Sequence, residues 1–277
     1  MSLSPASFDY VAALVRRETA VIYDAGKEYL VEARLLPLAR EAGEVDVDAY
    51  VLRIQRDLVE ARKAIDALTI NETSWFRDNA PYQVFTDVML PALLEARGAA
   101  RHLRIWSAAC SSGQEAYSLA MLLHESLPSG WSAEILATDV STTMLERVAA
   151  GRYGQVEMNR GMPATRLVRW FTRVGSNWEI APELRAMVRT RHLNLAAPFP
   201  PLPTFDIVFL RNVLIYFEMD VKCDILRRTR DLVAPDGFLL LGSSETTLDM
   251  DVPWHREPID RVQVLRPLTP AAALTGA

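Results

Sequence analysis

Cysteine, histidine and long apolar runs are all scarce in this 277-residue chain, and each scarcity removes a class of function. Only two cysteines occur, Cys110 and Cys223, too few for a disulfide-stapled scaffold and without metal-ligand spacing. The four histidines are scattered, so no metal centre is expected. No apolar stretch approaches the ~20 residues of a membrane span, and no membrane insertion is expected. The start, MSLSPASFDYVAALVRRE, lacks a basic segment followed by an apolar core, so a secretory signal is not expected and the expected compartment is the cytoplasm. Positive charge is not in excess either: 30 basic against 35 acidic residues leave a net −5. A sequence-independent grip on nucleic acid needs a basic surface, so no nucleic-acid partner is expected.

What is present is an ordinary globular balance, half hydrophobic and 23% charged, over a length that suggests about two domains. Residues 5 to about 70 read as helical. Phe8, Val11, Leu14 and Val15 recur at helical spacing, as do Tyr29, Leu30, Leu35, Leu36 and Leu38. A third helix is expected from Asp48 through Asp66, and Gly26 and Gly43 mark the breaks. We therefore expect an N-terminal all-α domain with an interdomain loop over residues 1–78, and a connecting helix and linker over 79–102.

From Leu103 strands and helices alternate, the signature of a parallel sheet with crossover helices, and residues 103–277 are expected to form that α/β domain. The expected strands are Leu103–Ala109, Glu134–Val140, Val188–Leu195, Phe205–Asn212, Phe238–Ser243 and Arg261–Arg266. Between Gly151 and Val188 the alternation stops. The β-like runs FTRVG and NWEI there suggest a small antiparallel β insertion over 155–187, serving either as an edge cap or as a dock for a partner. The tail, 267–277, is expected to be disordered.

Leu103–Met121, LRIWSAACSSGQEAYSLAM, runs from an apolar strand through a small-residue turn into a helix, and EILATDV ends a second strand on Asp139. A nucleotide-like ligand suits this layout, because the turn admits it to the backbone and the acid can hold ribose hydroxyls. The turn has one glycine, Gly113, where a dinucleotide fingerprint has three, so S-adenosylmethionine fits better than a pyrophosphate. The same strand, turn and helix also occur without any ligand. Three further segments stand out. Arg211-Asn212 and Tyr216 follow FDIVFL at the strand end that faces the crevice, where a polar switch has no packing purpose. Asn194-Leu195 ends the third strand. NETSWFR, Asn71–Arg77, lies between the domains, where Asn71 or Thr73 could cap a helix while Trp75 and Phe76 seal an interface. GFLLLGSSE, Gly237–Glu245, reads as structure rather than chemistry.

NETSWFR, AACSSGQEAYSLAM, ATDVSTTMLERVAAGRY, NVLIYF and FLLLGSSE occur in that order behind a helical N-terminal segment. Together they resemble the chemotaxis receptor methyltransferases, the CheR family, which methylate glutamate side chains on chemoreceptors. The resemblance runs from Phe8 to about Arg266. It implies a Rossmann-like S-adenosylmethionine-dependent carboxyl O-methyltransferase, with S-adenosylhomocysteine as product. It also implies cofactor contacts at Asn71, Thr73, Arg77, Glu115 (the methionine ammonium), Asp139 (the ribose), Asn194, Leu195, Arg211 and Asn212. Arg77 and Tyr216 are the implied catalytic pair, with Tyr216 beside the methyl group. The implied partners are the cytoplasmic helices of methyl-accepting chemoreceptors, met by basic residues of the helical domain such as Arg34 and Arg53, and a receptor C-terminal peptide on the β insertion. A monomer is expected. The chain departs from the family pattern mildly, with Ser112-Gly113-Gln114-Glu115-Ala116 where Thr-Gly-Glu-Glu-Pro is common, and Trp75 where Phe is common.

Other readings are a methyltransferase of a chemosensory system unrelated to swimming, an amino-methylating nucleic-acid enzyme, and a non-catalytic module that senses the cofactor. The nucleic-acid reading needs Asn-Pro-Pro-aromatic after the fourth strand, where this chain has Asn212-Val213-Leu214-Ile215.

Overall fold

A computed structural model of the chain describes residues 3–268. Four helices come first: α1 (Pro5–Thr19), α2 (Glu28–Glu41), α3 (Val47–Ile54) and α4 (Leu58–Leu68). Ser4 caps α1 by accepting the Ser7 N–H, and its hydroxyl donates to Asp48 across the bundle. The single helix expected over Asp48–Asp66 is two, α3 and α4. Asp57 adopts an extended backbone and accepts the N–H groups of Val59 and Glu60, which starts a new helix where apolar spacing alone reads straight through.

The connecting segment is helical from Ala80 to Ala96, as α5 (Ala80–Val84), a π turn (Phe85–Met89) and α6 (Leu90–Ala96). Pro91 has no N–H to offer, and the Leu90 N–H reaches back five residues to the Phe85 carbonyl.

A seven-stranded sheet follows. Its parallel part is β1 (His102–Ala108), β2 (Ser132–Asp139), β6 (Val188–His192), β7 (Phe205–Leu210) and β8 (Val233–Leu241). The antiparallel β9 (Trp254–Arg256) and β10 (Val264–Pro267) complete it, giving the order β6-β2-β1-β7-β8-β10-β9. The crossover helices are α7 (Gln114–Ser126), α8 (Thr142–Ala150) and α12 (Met219–Arg230). Strand order reverses at β1, so a crevice opens beyond its carboxyl end.

Three expected strands stop early by more than one residue, those expected to end at Leu195, Asn212 and Ser243. After His192, the Asn194 side chain accepts the Ala196 N–H and turns the chain; after Leu210, Asn212 takes a left-handed φ of 59°. β9 went unforeseen because three residues carry too little alternation. Pro267 pairs with Trp254 and the Leu268 N–H donates to the Pro253 carbonyl, so the expected tail begins inside the sheet at Pro267 and Leu268 is tied to its edge. The rest of that tail, 269–277, lies outside the described residues.

The insertion between β2 and β6 holds β3 (Arg152–Gly154), α9 (Gln155–Met158), α10 (Ala164–Trp170), β4 (Phe171–Val174), β5 (Asn177–Ile180) and α11 (Pro182–Met187). FTRVG and NWEI pair as the β4–β5 hairpin, and the small antiparallel sheet runs β3-β5-β4.

Apolar packing divides by sheet face. Phe8, Val11, Leu35, Tyr50 and Leu68 of the helical unit join Trp106, Val208 and Leu239 on one face. On the other, Trp75, Phe76 and Tyr82 join α7 and the insertion's Tyr153, Trp170 and Phe171. Trp75 is the key of this second core. It is 1% exposed, meets Tyr153 and Phe171 edge-on at 4.8 and 5.4 Å, and its main-chain N–H donates to the Arg160 carbonyl. The insertion therefore grips the loop that carries Asn71, Thr73 and Arg77. Trp75→Ala is expected to cost about 3–5 kcal/mol in urea denaturation, and a loss below about 1 kcal/mol would show that the contact is dispensable.

Candidate active site

Three turns at the carboxyl ends of β1, β2 and β7 meet the interdomain loop. After β1, Ala109 (φ 59°) and Ser111 (φ 49°) are left-handed, and Gly113 (φ 94°) opens α7. A methyl group at Gly113 would press within 2.9 Å of Val148 and 3.1 Å of the Tyr153 hydroxyl, so only glycine fits that approach. Asp139 links the first two turns: Oδ2 accepts the Ser111 N–H at 2.8 Å and Oδ1 the Ser141 N–H at 2.9 Å. The Ser111 hydroxyl donates to the Asn71 carbonyl at 2.8 Å and so ties the β1 turn to the interdomain loop.

Glu115, in the first turn of α7, accepts from the Ser107 hydroxyl at 2.7 Å and from Arg211 at 3.2 Å. Arg211, whose side chain is 1% exposed, also donates to Asp78 at 2.8 Å and to the Arg77 carbonyl at 3.0 Å. One guanidinium thus joins β7, α7 and the loop. Burial raises the Glu115 carboxyl above its ordinary range, and Arg211, the Ser107 hydroxyl and Arg77 pull it only part of the way back. Asp139 is likewise raised by burial, against the opposing pull of the main-chain N–H groups of Ser141 and Ser111.

Asn71, Thr73, Arg77, Glu115, Asp139, Asn194, Leu195, Arg211, Asn212 and Tyr216, the residues singled out from sequence, all line one cavity of about 860 Å³, its open mouth included. Not all of their side chains are free. Asn194 donates to the Glu18 carbonyl at 2.6 Å while accepting from Ala196, so its amide fastens α1 to the sheet. Arg77 donates to the Glu72 carbonyl at 2.9 Å. Its charge is felt by both Glu115 and Tyr216, and Tyr216 is raised by burial more than Arg77 and Arg34 lower it. Thr19, the last residue of α1, and Val21 just past it also wall the cavity, as do Val140, Leu193 and Phe217. Thr19 and Val21 carry no local signature, since the end of an amphipathic helix looks the same wherever it packs.

Residues 71–259 match the family described as CheR methyltransferase, SAM binding domain, and residues 6–69 the CheR methyltransferase all-alpha domain. Chemotaxis protein methyltransferase 1 of Pseudomonas aeruginosa is 42% identical over 254 residues, 88% of this chain and 92% of that protein. Chemotaxis protein methyltransferase Cher2 of Pseudomonas putida is 38% identical over 88% of this chain and 92% of its own length. The chemotaxis protein methyltransferase of Escherichia coli is 33% identical, with coverages of 88% and 86%.

The chain belongs to the CheR methyltransferase family.

It is an S-adenosylmethionine-dependent methyltransferase, and the cavity suits that cofactor. Glu115 and Asp139 each accept one hydrogen bond per oxygen, which leaves half of their lone-pair sites for donors inside the cavity. Both are held above their usual range by burial, a penalty that a cationic or hydroxyl-bearing ligand relieves. In this CheR-family enzyme the Arg211–Glu115 pair should also matter for folding. Arg211→Ala strands a buried carboxylate and is expected to cost about 3–5 kcal/mol in denaturant titrations, with part of the loss recovered when Glu115→Gln is added. Equal losses in the single and double variants would show that the pair does not couple.

Proposed function

We propose that this chain methylates glutamate side chains on the cytoplasmic helices of chemoreceptors, a protein-glutamate O-methyltransferase of chemotactic adaptation working in the cytoplasm. The observation that carries the reading is the convergence of Glu115, Asp139, Arg77 and Tyr216 on one cavity, in a chain related over most of its length to chemotaxis protein methyltransferases.

The cofactor supplies an electrophilic methyl group on a sulfonium. Glu115 holds the cationic methionine end, and Asp139 accepts from the ribose hydroxyls. Asn71, Thr73, Asn194, Leu195, Arg211 and Asn212 complete the seat, with Asn194 contributing its backbone and shape, since its amide is engaged. The acceptor glutamate is already ionised at neutral pH, its reference pKa being about 4.3, so no general base is required. No histidine lines the cavity. Tyr216, raised by burial, keeps its phenolic proton and can donate a hydrogen bond to the incoming carboxylate, while Arg77 supplies a cation at the same rim. Their task is alignment, worth up to about 7–11 kcal/mol in well-set geometry.

Docking of the receptor helices is ascribed to the helical unit, but not to Arg34 and Arg53. Arg34 donates to the carbonyls of Ala67 and Thr69, and Arg53 to the Ala42 carbonyl and the Glu44 carboxylate, so both have structural work. Arg40, Arg56 and Arg62 are exposed and are the better candidates, whereas Lys63, also exposed, pairs with Glu60. A receptor tail peptide would add to the outer edge of β4, which pairs only with β5 among the described residues.

Incubating the protein with radiolabelled cofactor and receptor-bearing membranes should label receptor glutamates, with Arg77→Ala and Tyr216→Phe about 100-fold slower. Cofactor binding without protein labelling would instead mark a sensor. Cofactor affinity should also depend on pH. A protonated Glu115 cannot pair with the ammonium, and its raised pKa brings protonation at a higher pH than for an ordinary glutamate. Affinity for S-adenosylhomocysteine should therefore fall on acidification through that range in the native chain and stay flatter in Glu115→Gln, as calorimetry at stepped pH would show.

A further inference from the structure

The buried acid Glu245 follows β8 at the end of GSSE and takes no part in the scheme above. Its carboxylate faces main-chain donors alone. Oε2 accepts the N–H of Asn212 at 2.8 Å and of Gly242 at 2.6 Å, and Oε1 accepts those of Val213 at 2.9 Å and Leu214 at 2.7 Å. A carboxylate has about four acceptor sites, and here four N–H groups fill them. Three of the donors are consecutive residues of the turn leaving β7, which begins with Asn212 at φ 59° and ends in the 3₁₀ turn Leu214–Tyr216. The turn also sits tightly over Gly242. A methyl group there would lie 2.8 Å from the Asn212 nitrogen and 2.8 Å from Glu245 Oε2.

We infer that Glu245 is a positioning residue for methyl transfer: its carboxylate is the template on which the 212–216 turn folds. It thereby sets where Asn212 meets the cofactor and where Tyr216 meets the acceptor. The inference rests on the cavity roles given to Asn212 and Tyr216. Without the carboxylate, three consecutive N–H groups that point inward lose their acceptors, that of the left-handed Asn212 among them. Glutamine cannot substitute, because its amide brings a donor to a site already full of donors. Aspartate keeps the charge but is one methylene shorter.

The test uses the full-length protein with Glu245→Gln, Glu245→Asp and Gly242→Ala. The readouts are amide hydrogen exchange, S-adenosylhomocysteine affinity, and kcat and KM for receptor methylation. In Glu245→Gln, the amides of 212–214 should lose protection while those of β1 and β2 keep theirs. Affinity should fall about 10-fold and kcat about 100-fold, with KM for the receptor within about 3-fold. Gly242→Ala should reproduce the pattern with the carboxylate intact, and Glu245→Asp should recover part of it. A folded Glu245→Gln with unchanged exchange at 212–214, or with kcat within about 2-fold of native, overturns the inference. If Glu245→Gln does not unfold cooperatively, Gly242→Ala decides alone, and near-normal affinity and turnover in it overturn the inference. Should the native protein label no receptor, the proposed acceptor fails separately, and exchange and affinity still judge the template.

Discussion

The guanidinium of Arg211 is the contact on which the rest of the site depends. It leaves the end of β7, almost wholly shielded from water, and holds Glu115 of α7, Asp78 and the Arg77 carbonyl together. Burying a cation is costly unless acceptors meet it, and here Nη1 and Nη2 find two carboxylates and a carbonyl, while Nε has no partner among the described residues. The arrangement keeps Glu115 ionisable in a setting that otherwise disfavours its charge. It also fixes the backbone of the interdomain loop at the residue that presents Arg77. Sheet, crossover helix and loop are therefore referenced to one point, and the cavity is the space left around it.

Backbone strain concentrates at the same place. Ala109, Ser111 and Asn212 are all left-handed without being glycine, and each follows within a few residues of a parallel strand's carboxyl end. Such conformations cost of order 1–3 kcal/mol each and persist where surrounding contacts overdetermine them. The contacts are present: the Ser111 N–H is held by Asp139 and the Asn212 N–H by Glu245. Two acids at the ends of two strands do the same physical job, gathering main-chain donors into a tight turn, yet only Asp139 lines the cavity.

That pairing explains what could be read from the chain. The α/β alternation, the helical N-terminal unit and the antiparallel insertion follow from apolar periodicity, a local property. Asp139 stood out as the acid that ends the second strand, and Arg211 because a polar residue after an all-apolar strand has no packing reason to be there. Glu245 also follows its strand, but GFLLLGSSE reads as structure, and its partners Asn212, Val213 and Leu214 are 31 to 33 positions away. Trp75 was read as an interface residue, whereas the insertion that receives it lies far along the chain. The break at Asp57 escaped because capping competes with periodicity over a span of three residues.

Many of the bonds that close the site run from a side chain on one segment to a main-chain carbonyl on another. Arg34 reaches Ala67 and Thr69, Asn194 reaches Glu18, Ser111 reaches Asn71, and Arg228 reaches Leu195 and Ala197. A carbonyl is supplied by any amino acid, so the accepting positions tolerate replacement as long as the local backbone path holds. The donors have no such latitude. Mutational drift in this molecule should thus be lopsided, with Ala67 and Ala197 accepting exchange that Arg34 and Arg228 refuse.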